Sequence, residues 1–264
     1  MKGRGFAVLA LLAAAPLVAQ TPDAVPPAAA VVPTRAVAAE YSYVHLDGGA
    51  DPWHLGTIEL SRRSPTVALV ARASLAERFG ERGAQGEIDA YPRISERVYA
   101  YANLGVSGSD IFPRLRYGGE LYGNFARGIE ASGGFRRLEF DDEGVTLWTG
   151  SVGKYAGNYY ASARPFVTRR DGETAVSGTL LVRRYFSGPR SFATLVVGAG
   201  SAPSEAPLAF ELRRADSQRV GVYGTTPLRG PLAVRWSAGW EREELTSVDT
   251  RTRISTGIGA ELRF

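Results

Sequence analysis

The sequence predicts an all-β fold, a transmembrane antiparallel up-and-down β-barrel of about fourteen strands, with twelve as the alternative. Three observations predict it. From Glu40 onward the chain is a succession of segments, each roughly ten residues long, in which apolar and polar residues alternate, as strands do when their two faces meet different media. Turn residues separate the segments. The chain also closes on a strand: in "RISTGIGAELRF", Ile254, Thr256, Ile258, Ala260, Leu262 and Phe264 share one parity, and Arg253, Ser255, Gly257, Gly259, Glu261 and Arg263 share the other.

The elements follow in order. Lys2 and Arg4 precede the apolar run Phe6–Val18, and the small Ala19 suits the position before a cleavage point. Residues 1–19 therefore read as a secretory signal peptide, with an apolar core shorter than the roughly 20 residues a spanning helix needs. The next stretch, "QTPDAVPPAAAVVPTRAVAAE", is rich in Pro and Ala and has no period, so residues 20–39 are expected to form a disordered or extended leader. The barrel is assigned to 40–264.

Period-2 segments place strands at 40–47, 52–63, 66–79, 84–92, 96–107, 114–125 and 127–140. Seven more fall at 144–153, 157–169, 174–186, 191–200, 215–225, 231–244 and 251–264. In "VYAYANLGVS", Val98, Ala100, Ala102, Leu104 and Val106 alternate with Tyr99, Tyr101, Asn103, Gly105 and Ser107. In "AVRWSAGWERE", Val234, Trp236, Ala238 and Trp240 alternate with Arg235, Ser237, Gly239, Glu241 and Glu243. Connections at Ser64–Pro65 and Ala126–Gly128 are tight, whereas Gly108–Leu115 and Ser201–Ala215 are long. With the N-terminus in the periplasm, tight turns fall on that side and long loops outside, the asymmetry of outer-membrane barrels. An even strand count returns Phe264 to the first strand, so the sheet closes without an edge.

Composition agrees and excludes other classes. Gly 31 and Tyr 12 suit strands with close backbone approaches. Cysteine is absent, which removes disulfides, thiolate metal sites and cysteine nucleophiles. The net charge of +4 includes Lys2 and Arg4, and the remaining charges are interspersed without a basic block, so no nucleic-acid partner is expected. The glycine stretches "YGGELYG" and "GVSGSD" are followed by no helix, which rules out a phosphate loop.

Several stretches stand in order: "AERFG" (76–80), "DAYPRI" (89–94), "IFPRLRYGGELY" (111–122), "EASGGFRRLEF" (130–140), "TGSVGKYAGNYY" (149–160) and "RRYF" (183–186). Together they resemble the YaiO-like family of Gram-negative outer-membrane β-barrel proteins, over Glu40–Phe264. The resemblance implies location and architecture and carries no catalytic residues. It also implies an envelope glycan, or the machinery that exports one, as a partner beside membrane lipid, lipopolysaccharide and the outer-membrane insertion machinery. Tyr160 departs from the pattern, standing where Trp is expected, at a position read as an interfacial aromatic.

The polar parity is heavily charged. Arg72, Arg78, Glu87, Asp89, Arg116, Glu120, Glu130, Arg136, Arg164, Arg183, Arg219, Arg235, Glu241, Glu261 and Arg263 all oppose the apolar residues of their strands. Charge on the lipid face would cost roughly 2–4 kcal/mol near the midplane, so these residues are assigned to the lumen. Cross-strand Arg–carboxylate pairs narrowing the opening are one role for them. Gripping a hydroxyl-rich or anionic solute, with Tyr91, Tyr99, Tyr101 and Tyr122 as stacking faces, is the other. Phe264 with Leu262 reads as the C-terminal insertion signal. The leading function is a pore or accessory channel for small hydrophilic solutes or envelope polysaccharide. A non-conducting structural partner is an alternative. Another is a lipid- or lipopolysaccharide-modifying enzyme at the extracellular rim, which would need His45 or His54, the only histidines, with Asp47, Asp51 and Ser42. No nucleophile motif surrounds any serine, so no catalytic residue, metal or cofactor is assigned.

Overall fold

Fourteen strands run up and down, each hydrogen-bonded to its sequence neighbours, and the last pairs with the first. The structure is a computed structural model, and it describes residues 34–78, 80–141, 144–170, 173–201, 216–244 and 250–264. The strands are β1 (Thr34–Leu46), β2 (Trp53–Arg63), β3 (Val67–Arg78), β4 (Glu81–Pro92), β5 (Val98–Ser107), β6 (Leu115–Asn124) and β7 (Ile129–Glu139). They continue with β8 (Gly144–Ala156), β9 (Tyr159–Arg170), β10 (Glu173–Tyr185), β11 (Phe192–Gly200), β12 (Asp216–Pro227), β13 (Leu232–Glu244) and β14 (Thr250–Arg263). The signal peptide expected over 1–19 and the leader over 20–33 lie outside the described residues.

Residues 34–39 are a correction. They belong to β1, not to a leader, and their register shows why: Ala36, Val37, Ala38 and Ala39 pair with Arg263, Leu262, Glu261 and Ala260. The backbone of Phe264 closes the seam with Arg35, N to O at 2.9 Å and O to N at 3.0 Å. Starting β1 at Glu40 would leave the end of β14 with unpaired amides and carbonyls in lipid, where each costs several kcal/mol.

Alternation divides the wall. On β3, Arg72, Ser74, Ala76 and Arg78 face inward while Leu69, Ala71, Ala73 and Leu75 face out, and Leu75 is 69% exposed. Ile58, Ile88, Leu121, Trp148, Leu180 and Ile258 extend this exposed apolar belt around the barrel. Water would not tolerate such a belt, but lipid would. Among the described residues, outward charges are confined to strand ends: Arg35, Arg62, Lys154 and Arg184 near the rim bearing the termini, Glu77, Arg82, Arg137 and Arg242 near the far rim. Aromatic residues accompany them, with Tyr159 and Phe186 beside Arg184.

The expected loop asymmetry holds in part. The far rim carries the long connections 108–114 and 201–215, yet 79–80 and 171–172 on the same rim are as short as 157–158 on the other. Gly80, at φ +76°, permits one of these short far-rim turns. On the termini rim, Ser64 makes the β2–β3 turn self-sufficient, its Oγ accepting from Val67 N (3.1 Å) and donating to Val67 O (2.8 Å).

Inward glycines make room for long side chains lying flat on the wall. A Cβ at Gly105 would sit 2.8 Å from Arg116 Cγ, and one at Gly118 would sit 2.6 Å from Arg136 Cδ. At Gly134 it would collide with the Gly119 carbonyl and stand 2.6 Å from Glu120 Cα. Its neighbour Gly133 faces outward with nothing within 4 Å. Gly134→Val is therefore expected to lower stability by about 1–3 kcal/mol through overpacking, and Gly133→Val to change it by less than about 0.5 kcal/mol. Denaturant unfolding of the micelle-embedded protein checks this, and equal losses for the two variants would show that Gly134 is not conserving space.

Candidate functional site

The inner face brings together the residues that alternation marked. Arg72, Arg78, Glu87, Asp89, Arg116, Glu120, Glu130, Arg136, Arg164, Arg183, Arg235, Glu241, Glu261 and Arg263 all stand on it. In an open, water-filled pore such side chains would be wet. Here Asp89 is 0% exposed, Arg116 and Arg136 are 2%, and Glu120 is 3%. Side chains fill the lumen at this level.

One reason is that the polar groups reach across strands that do not adjoin. Glu120 on β6 takes Arg136 Nη2 from the neighbouring β7 at 2.8 Å and Arg164 Nη1 from β9, two strands further round, at 2.8 and 2.9 Å. Ser132 Oγ donates to the same carboxylate at 2.5 Å. Arg164 also donates to Tyr122 Oη (3.0 Å) and Thr149 Oγ1 (3.2 Å), which fixes its fork. On the opposite side, Arg235 on β13 reaches past β14 and β1 to Glu59 on β2 at 2.9 Å, while also holding Glu261 at 2.7 Å. Glu59 Oε2 in turn accepts from Arg72 Nε at 3.3 Å.

Arg72 carries the network inward to Asp89 (3.1 Å) and Glu87 (3.8 Å). Asp89 Oδ1 accepts from Tyr101 Oη (3.1 Å) and Asn103 Nδ2 (2.6 Å), and Arg116 joins Glu87 (3.1 Å) to Asn103 Oδ1 (3.2 Å). The guanidinium of Arg136 lies 4.4 Å over the Tyr101 ring, linking the two halves. Glu130 is handled differently. Its oxygens accept from Tyr99 Oη (3.0 Å) and Tyr160 Oη (3.1 Å), and Tyr99 stacks on Tyr122 at 4.6 Å and 8°. Tyr160 is thus a buried lumen residue, which corrects its reading as an interfacial aromatic: a phenol supplies the O–H that Glu130 needs.

Above this layer, toward the far rim, apolar clusters join the charged groups, which there include Arg251 and Arg253 paired with Glu243. Val44, Leu46, Trp53 and Leu55 form one buried cluster with Ile111 and Phe112, which come from the β5–β6 loop. The loop folds into the barrel end and lies against Gly83, where a Cβ would approach Ile111 Cγ1 to 2.7 Å. Leu138, Val145, Leu147, Phe166 and Ala175 form a second cluster. Arg78 and Arg253 stand over the Trp53 ring at 4.9 and 5.2 Å.

Toward the termini rim the filling loosens. A cavity of about 130 Å³ lies between β1–β4 and β10–β14, lined by arginines, carboxylates and aromatic rings. Glu59, Glu40, Arg63, Glu243 and Arg253 are inner-face charges that the sequence-based assignment left out. The alternation of Thr57, Glu59, Ser61 and Arg63 against Ile58, Leu60 and Arg62 was the available signal.

The rim-enzyme arrangement is not assembled. Ser42 is 1% exposed on the inner face, whereas His45 and His54 point outward. His54 Nδ1 is bonded to Tyr41 Oη at 2.6 Å, and Asp47 Oδ1 accepts from Thr252 N at 2.9 Å. Leu262 and Phe264 face outward, 43% and 72% exposed.

The family model described as YaiO membrane beta barrel domain matches residues 34–205, so the match starts where β1 does and ends in the β11–β12 connection. No curated protein matches the sequence. Among solved structures, the Acinetobacter baumannii outer membrane protein Omp33 aligns at TM-score 0.52 and 12% identity, covering 86% of this chain and 97% of that one. A bacterial polysaccharide outer membrane secretin aligns at 0.52 and 8%, covering 90% and 100%. OpdO of Pseudomonas aeruginosa aligns at 0.49 and 11%, covering 88% and 96%. At these identities the likeness is one of fold.

Removing one partner from a buried ion pair leaves the other charge uncompensated, at a cost of about 3–5 kcal/mol. Glu120 serves two buried arginines, so Glu120→Ala is expected to lose at least that much in urea unfolding. Arg137→Gln, on the outer face near the rim, is expected to change stability by less than about 1 kcal/mol. Similar small losses for both would mean that the lumen network does not hold the wall.

Proposed function

The chain belongs to the YaiO membrane beta barrel domain family, and we propose that it works in the outer membrane as a channel-type barrel, shut at rest, for small hydrophilic solutes or an envelope glycan. The observation that carries this reading is the inner-face network of Arg235–Glu59 and Arg164–Glu120, which joins strands that are not neighbours. A wall needing only strength would be served by pairs between adjacent strands. Bonds that skip two strands must leave the wall and occupy the bore, so they narrow it, and a solute with charges of its own can take the place of either partner. Charges of both signs would let a hydrated solute exchange its own groups for the pairs it displaces.

The secretory reading of residues 1–19 puts the termini rim in the periplasm, so the looser end of the lumen faces the cell and the end filled by Ile111 and Phe112 faces outward. The apolar belt serves lipid and lipopolysaccharide as partners, and Leu262 with Phe264 offers the insertion machinery an exposed aromatic end. The polysaccharide secretin among the fold neighbours supports keeping a glycan among the candidate solutes.

Planar-bilayer recording tests the proposal. The wild-type barrel is expected to be silent with brief openings, and a variant whose 109–113 segment is replaced by a short glycine turn is expected to stay open longer, because Ile111 and Phe112 leave the lumen. A steady wild-type current would show that the lumen is not shut. Silence of both proteins, with no solute flux into liposomes, would replace the channel with the non-conducting structural partner.

A further inference from the structure

The cavity at the termini rim has a composition that the wall does not require. Five arginines line it, Arg63, Arg72, Arg183, Arg235 and Arg263, against two glutamates, Glu59 and Glu261. Both glutamates are already shared. Glu59 accepts from Arg72 and Arg235, and Glu261 accepts from Arg235 at 2.7 Å and from Arg263 at 2.5 Å. The deeper carboxylates Glu87 and Asp89 are engaged by Arg116 and Arg72. With Glu40, which stands beside Arg235, Glu59 and Arg72 on the inner face, five arginines meet three carboxylates around the space itself.

Those donors are held in position. Arg183 Nε donates to Thr194 Oγ1 at 2.9 Å and its Nη2 to Tyr223 Oη at 3.1 Å, with the Phe192 ring 4.3 Å beneath the guanidinium. Arg235 is fixed between its carboxylates. A planar fork held this way is pre-organised for a carboxylate or a phosphate, because little rotamer freedom remains to be lost on binding. Tyr91, Phe192 and Tyr223 supply aromatic walls. At about 130 Å³ the space is somewhat smaller than the roughly 150 Å³ cavity that encloses a benzene ring, so it takes the charged end of a saccharide unit while the rest of the ring extends toward the rim.

We propose that this cavity is a binding site for an acidic sugar unit, a single saccharide ring carrying a carboxylate or a phosphate. The anion meets Arg183 and Arg263, and the ring lies against the aromatic wall. The assignment rests on the reading of the barrel as a handler of hydrophilic solutes, and it adds the ligand class and the rim at which the ligand is first held. A neutral sugar would offer the arginines no anion, and a bare anion would leave the aromatic wall unused.

Calorimetry on the full chain in nanodiscs tests it with four probes: a glucuronate-containing disaccharide, a sugar phosphate, a neutral disaccharide and inorganic phosphate. An acidic sugar is expected to bind at least about tenfold more tightly than the neutral one, and raising the salt is expected to weaken binding. Which acidic probe binds more tightly tells a uronate from a phosphate source. Arg263→Gln, at the rim, and Arg183→Gln are each expected to weaken binding about tenfold, while Arg137→Gln on the outer face leaves it unchanged. Because Arg183 also supports the wall, each variant is first checked for a folded band on an unboiled gel, and Tyr223→Phe gives a milder second variant that should weaken binding less. Equal binding of acidic and neutral sugars, or no binding of either, overturns the proposal. Inorganic phosphate binding as tightly as the acidic sugars overturns its sugar part. Since calorimetry measures no current, acidic-sugar binding by a barrel that is silent both as wild type and with 109–113 replaced would sink only the channel, and a conducting barrel that binds none would sink only the site.

Discussion

The bond from Glu120 to Arg164 across β7 and β8 shows the constraint on which the structure depends: a wide barrel must fill its bore with something, and this one fills it with charge. A wall of about eight strands can be packed shut by side chains alone. Fourteen strands enclose more, so the filling must come from long side chains that reach inward, and those are Arg, Glu and Tyr. Once such groups leave water, each must find a partner, since an uncompensated buried charge costs several kcal/mol. The inward glycines follow from the same constraint. Gly105, Gly118 and Gly134 are vacant where Arg116, Arg136 and Glu120 need room, so the network determines the backbone's small residues as much as the backbone determines the network.

Most of the wall was legible in the sequence because a strand has only two faces. Knowing that Val98, Ala100 and Leu104 share a parity obliges Tyr99, Tyr101 and Asn103 to share the other, and one oily face then assigns the charged face to the lumen. The same argument extends to Glu59 and Arg63 through Ile58 and Leu60, but the assignment left them out, because their strand mixes exposed apolar and charged residues near the rim and its pattern is weaker. Strand number was legible for a related reason, since each turn between segments carries its own chemistry, as at Ser64.

What alternation could not show is anything depending on the third dimension. Parity places Glu120 and Arg164 in one lumen but does not say that they meet past two intervening strands. The "IFPRL" stretch looks like a loop and is one, yet Ile111 and Phe112 are buried inside the barrel end, because an apolar pocket of Val44, Trp53 and Leu55 awaits them. Thr34–Ala39 looked like leader because alanine carries little hydrophobic contrast. Only the length of β14, which needs a partner down to Phe264, forces those residues into the wall. His45 and Ser42 lie close in sequence, but their odd spacing puts them on opposite faces of β1.

The network and the rim cavity together suggest how a lumen filled with ion pairs could still pass a solute. Pulling Arg235 from Glu59 or Arg164 from Glu120 without replacement leaves buried charges bare, at a cost of about 3–5 kcal/mol for each broken pair, so thermal opening is rare. A solute carrying its own carboxylate changes the reaction from breaking to exchange. Its anion takes a guanidinium as the resident glutamate is released to a neighbouring arginine, and the number of pairs is nearly conserved. Glu261, shared between Arg235 and Arg263, is already arranged for such a step, since it can release one partner while keeping the other. A neutral solute has no group to exchange, so it faces the full cost of separation. The filling that shuts the barrel would thereby also select what opens it, and the excess of arginine at the termini rim marks the side from which exchange would begin.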